Sequence, residues 1–251
     1  MSLLPSSSLF RGVGWRELTD FVSPAVFDVV QPKSVAAAAS ALFRAQMDSA
    51  GTERAQAERA RHLQEHRLPV VVGGPVDGRV PTVEADRRTR GETLLRLYFH
   101  QLLVGPVALL DLGPSRFSGV APVRWAPTAA RHTWTPAFRS AVRDLYGGFY
   151  GGDDRSFDRT LEVLGLRPAR SIFLAHFGGD QTAVRFESAH FRTTFHAAFV
   201  ACRDARVQIH PDFLPMGLML ASLYAHLEQL EVPLDVRAAW GEVSTSKQVA
   251  G

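Results

Sequence analysis

The chain has 251 residues, 46% hydrophobic and 21% charged, with a formal net charge of +3. That length and composition suit an ordinary globular domain with a sizeable core, and exclude a disulfide-stapled or low-complexity chain. Cys202 is the only cysteine, which excludes an internal disulfide and a cysteine-based zinc site.

Residues 1–33 read as an arm packed on the body through Phe10, Trp15, Phe21 and Phe27. The start "MSLLPSSSLFRGVGW" lacks the basic and then apolar pattern of a secretory leader, so the expected location is cytoplasmic. Residues 34–240 form the expected helical domain, and 241–251 the expected flexible tail. Ser34 is the expected cap of an alanine-rich helix, "VAAAASALFRAQM". After Gly51, "TERAQAERARHLQEH" predicts a second, polar helix with charges four residues apart. Its arginines alternate with acids instead of massing on one face, so nucleic-acid binding is not expected. "LPVVVGGPVDGRVP" predicts a short strand and turns.

"RRTRGETLLRLYFHQLLV" repeats apolar residues at helical spacing, at Leu94, Leu95, Tyr98 and Leu102. "GPVALLDLGP" follows as a buried strand that ends in Asp111 and turns at Gly113 and Pro114. Residues 114–134 read as a proline-rich loop holding Trp125 and Trp134. Thr135 and Pro136 open a helix that stops at Gly151 and Gly152. Asp153 then caps "DRSFDRTLEVLGL". With Asp154 and Asp158 it also forms an acidic group, a spacing that binds magnesium in some helical enzymes. "VRFESAHFRTTFHAAFVACRDA" carries Phe191, Phe195 and Phe199 along one helical face, with Cys202 as a packed thiol. The last apolar tract, Phe213–Leu227, reads as a buried helix buried along Leu214, Leu218, Leu220, Ala221, Tyr224 and Leu227, ending near Pro233. No stretch reaches the roughly 18 apolar residues of a membrane span. The expected fold class is therefore mainly α: one helical domain with one or two short strands or hairpins.

One cluster carries most of the chemical potential. His176, Asp180, Glu187, His190 and His196 fall within 21 residues, and Glu187 and His190 stand three apart. A Glu-x-x-His pair is half of a helical di-iron site, so a divalent metal enzyme is one reading of this cluster. Locally hydrogen-bonded histidines are the other, with no cofactor. No phosphate loop, dinucleotide fingerprint, nucleophile elbow or H-E-x-x-H motif is present.

Residues 92–236 resemble the C-terminal lobe of the UbiB/AarF atypical kinase-like family. "VALLDLG" stands where that family has an apolar strand ending in D-F-G, with Asp111, Leu112 and Gly113 in the motif positions. "TPAFRSAVRDLYGGFY" and "GGDDRSFDRTLEVLGL" follow as the next two helices, and "AAAAS" resembles the family's alanine-rich loop. The resemblance implies a kinase-like C-lobe with Asp111 as a nucleotide or metal residue. The catalytic-loop motif is missing between "YFHQLLV" and "VALLDLG", and "LPVVVGGPVDG" has no lysine. One aspartate does not supply base, phosphate-binding cation and metal ligands together, so a reduced, inactive relative is expected. The expected function is non-catalytic, the binding of a protein partner or an apolar small molecule. A divergent nucleotide-binding protein centred on Asp111 is the further reading. The sequence leaves the oligomeric state open.

Overall fold

The structure is a computed structural model and describes residues 26–176 and 183–245. It is mainly helical, with short strands gathered in two small sheets. In chain order the elements are α1 (Val26–Val29), α2 (Pro32–Met47), α3 (Ser49–Glu65), β1 (Val70–Val72) and α4 (Glu84–Leu103). There follow β2 (Val107–Leu109), β3 (Phe117–Ser118), β4 (Val123–Trp125) and β5 (Arg131–Thr133). The remainder is helical: α5 (Pro136–Gly151), α6 (Asp154–Val163), α7 (Arg170–His176), α8 (Ser188–Asp204), α9 (Phe213–Leu230) and α10 (Val236–Thr245).

Two helices, α4 and α9, occupy the centre. From Leu94 to Leu103 nearly every side chain of α4 is buried, including His100 and Gln101. In α9, Met216, Met219, Leu220, Leu223, Tyr224, His226 and Leu227 are buried, while Leu214 and Leu218 are only partly so. The buried surface is thus wider than the single stripe expected, because neighbours pack on several sides.

Local chemistry sets many boundaries. Thr135 caps α5 by accepting from the Phe138 N–H at 3.3 Å, with proline in the first turn. Gly152, with φ of 71°, closes α5 in the left-handed conformation. Asp153 caps α6 through the Ser156 N–H at 3.1 Å. Helices α5 and α6 pack closely at Gly148, where an added Cβ would lie 2.7 Å from the Phe157 nitrogen.

Three expectations need correction. Residues 114–134 are not a plain loop, since they contain β3, β4 and β5. Strand β4 pairs parallel with β1, Val70 opposite Val123, and antiparallel with β3, Phe117 opposite Trp125. Strands of two or three residues are too short to show an alternating pattern. Helix α2 starts at Pro32, not at a Ser34 cap, and Gln31 at its cap makes no side-chain bond. The tail expected from residue 241 is in part helix, as α10 runs to Thr245 with Trp240 and Val243 buried. Phe10, Trp15 and Phe21 lie outside the described residues, as does the side chain of Phe27.

The second sheet is β2 against β5, antiparallel, with Val107 opposite Thr133, Ala108 opposite His132 and Leu109 opposite Arg131. Side chains hold part of the outer edge of β2. Gln101 accepts from the Leu109 N–H at 2.7 Å, and the buried Arg59 guanidinium donates to the Val107 carbonyl.

Candidate functional site

The sequence contains four tyrosines, and all four line one pocket. Tyr98 comes from the buried stretch of α4. Tyr146 and Tyr150 sit four residues apart on α5, so both rings face the same way, 6.1 Å apart and nearly parallel. Tyr224 comes from α9. His176 ends α7, and Val184 and Phe186 cross the pocket on the way to α8. Val184 is held there by a two-way backbone bridge to Leu234. Leu95, Phe99, Leu220, Leu223 and Val236 complete an apolar wall. The enclosed space is about 40 Å³, and about 460 Å³ with the open mouth included.

The polar groups are paired. The Tyr98 and Tyr146 hydroxyls lie 2.9 Å apart. The Tyr224 hydroxyl lies 3.2 Å from His176 Nε2, and the two rings stack at 5.7 Å. Burial pushes all four phenols up, Tyr146 to about 12. Burial, and then the neighbouring His190, push His176 down to about 4. At neutral pH the pocket therefore holds four neutral phenols and one neutral imidazole. Arg237 is exposed on α10, its guanidinium 5.9 Å from the centre of the Tyr150 ring.

The residues singled out in the sequence meet this pocket only in part. His176 lines it, and the exposed His190 stacks on the His176 ring at 5.8 Å. Glu187 is not on the helix with His190. It is the extended cap residue of α8, and its side chain is exposed. His196 is also exposed, and Asp180 lies outside the described residues. Among the described residues, no three histidine, cysteine, aspartate or glutamate side chains gather closely enough to hold a metal. In the acidic group, Asp153 caps its helix. Asp158 pairs with Arg167 at 2.6 Å and Arg170 at 2.5 Å, and Asp154 with Arg170 at 3.3 Å. Cys202 is buried, donates to the Gly165 carbonyl at 3.4 Å and has its pKa raised to about 11 by burial.

Asp111 lies two residues beyond β2, nearly buried. Its carboxylate accepts from the Gly113 N–H at 3.1 Å and pairs with Arg116 at 2.9 Å. Its carbonyl accepts from Trp125 Nε1 at 3.1 Å. Helix α9 grips the next residue: Ser222 accepts from the Leu112 N–H at 3.0 Å, and His226 Nδ1 donates to the Leu112 carbonyl at 3.1 Å. Both carboxylate oxygens thus serve the turn.

Sequence reasoning passed over the tyrosines as a set. Only the pair at 146 and 150 is visible as a spacing, since the others come from elements far apart in the chain. No family model matches the chain, and no curated protein matches it in sequence.

Proposed function

We propose that this is a non-catalytic binding protein whose ligand is a small, neutral, largely apolar molecule with one or two oxygen atoms, held in the tyrosine pocket. The observation that carries this reading is the convergence of all four tyrosines and His176 on one pocket with no ionised group among them. The paired Tyr98 and Tyr146 hydroxyls place phenol oxygens on the pocket wall, the polar chemistry that suits a ligand carbonyl, ether or hydroxyl. The aromatic and aliphatic walls supply the apolar contact. Neutral phenols and a neutral imidazole hold no strong nucleophile or base, which favours binding over chemistry. Asp111 gives no reason to add nucleotide chemistry, because Gly113 and Arg116 occupy its carboxylate.

The reading is tested by thermal shift with para-cresol, cyclohexanone and benzoate on the wild-type chain and on Tyr98→Phe. The two neutral compounds are expected to raise the melting temperature and benzoate is not. The response is expected to weaken in Tyr98→Phe. Equal stabilisation by benzoate, or none by either neutral compound, contradicts the proposal.

A further inference from the structure

We propose that the open edge of β5 receives an extended, acidic peptide from a partner protein as an added strand. The register of the small sheet shows why that edge is available. The Leu110 N–H donates to Ala130 at 2.9 Å and the Trp134 N–H to Pro106 at 2.9 Å, which places the even-numbered residues of β5 in the ladder with β2. Arg131 and Thr133 therefore turn their backbone N–H and C=O groups to the other side. Of the matching outward groups of β2, the Val107 carbonyl is held by Arg59 and the Leu109 N–H by Gln101. No hydrogen bond among the described residues closes those of Arg131 and Thr133. Two of the four outward groups of β2 are thus held from within the fold, whereas among the described residues no hydrogen bond holds the two donors and two acceptors of β5.

The strand is also held ready. His132 points inward, its Nε2 2.9 Å from the buried Asp212 carboxylate, which in turn accepts from the Thr135 N–H and hydroxyl. On the opposite face, the Arg131 side chain bonds Asp48 at 2.5 Å and Thr52 at 2.6 Å and ties the corner between α2 and α3 to the strand. These contacts frame a groove of about 770 Å³ between α2 and β5. Phe43 and Met47, 59% and 77% exposed, line its α2 side, four residues apart on one helical face. Such a site suits an extended peptide: main-chain bonds supply affinity, and side chains placed against Phe43 and Met47 supply choice.

Charge selects the occupant. Arg131 and Asp48 line the groove as an ion pair, and the exposed Arg44 beside them leaves the lining with a net positive charge. A second copy of the chain pairing β5 with β5 would bring both copies of Arg44 into one cleft, which like-charge repulsion opposes. A strand carrying aspartate or glutamate meets the opposite field.

The test uses the full chain and a capped, fluorescently labelled hexapeptide of alternating valine and glutamate, followed by anisotropy. A second peptide replaces glutamate with lysine. Saturable binding of the acidic peptide is expected, with slowed amide exchange at Arg131 and Thr133 and at least about tenfold weaker binding of the lysine peptide. Thr133→Pro removes one outward N–H and is expected to weaken binding about tenfold with an unchanged circular dichroism spectrum. Phe43→Asp, a surface change on α2, provides an independent variant and is expected to weaken binding as well. Equal binding of the two peptides overturns the proposal, as does unchanged affinity in both variants or no binding at millimolar peptide. Sedimentation that shows a dimer lost in Phe43→Asp assigns the edge to a second copy and overturns it too.

Discussion

Acidification from pH 7.5 to 5 should weaken the fold by about 4 kcal/mol through two histidines alone. His226 and His100 are fully buried and neutral. Burial, then the nearby Arg90, push His226 down to about 3, while burial, then Arg59, push His100 down to about 2. In the unfolded chain both return to about 6.5. Between those values the unfolded state binds more protons, so stability falls as pH falls. By pH 5 each forfeits about 2 kcal/mol, a sizeable part of the roughly 5–15 kcal/mol typical of a domain. Asp48, Asp158 and Asp212 have lowered values and act in the same direction, but only below about pH 4. Urea titrations at fixed ionic strength, followed by fluorescence of the buried Trp125 and Trp134, read this directly. His226→Gln keeps an amide donor for the Leu112 carbonyl and removes one of three such proton sites, since His176, pushed down to about 4, acts in the same direction, so the pH slope should fall by about a third. A flat profile from pH 7.5 to 5, or greater stability in acid, would refute the assignment of these histidines as buried and neutral.

In the tyrosine pocket, Tyr98→Phe and Tyr146→Phe should each cost about 1–2 kcal/mol, and the double variant about 1 kcal/mol less than their sum, measured by a denaturant cycle. Strict additivity would show that the two hydroxyls do not bond. Gly165 has φ of 73°, and an added Cβ would lie 2.1 Å from the Gln208 carbonyl oxygen. Gly165→Ala should therefore lower stability by more than about 3 kcal/mol or prevent folding, read from expression and melting temperature. Cys202 should react with an aromatic disulfide reagent only after unfolding, given its burial and raised pKa; stoichiometric reaction in native buffer would contradict its placement.

Much of the helical frame was legible because single residues punctuate it. Thr135 with Pro136, Gly151 with Gly152 and Asp153 each mark a boundary through a bond or a backbone conformation that few other residues supply. The last helix was hidden behind Pro233, which reads as a stop, although Asp235 caps α10 through the Ala238 N–H at 2.8 Å. The strands of 114–134 are too short to carry a period. The histidine cluster was legible as a neighbourhood but not as a site. Glu187 went to the cap of α8, and His190 reaches His176 by ring stacking rather than by sharing an ion. The pocket itself was not legible, since it forms only when α4, α5, α7 and α9 meet.

The most direct measurement of the central claim is a titration of the protein, ring-labelled with carbon-13 at tyrosine, with para-cresol and separately with benzoate, followed by NMR. The account predicts that para-cresol shifts the ring signals of Tyr98, Tyr146, Tyr150 and Tyr224 together along one saturable curve, with benzoate leaving them in place. Four tyrosine signals unmoved at saturating para-cresol, or moved equally by benzoate, would contradict it.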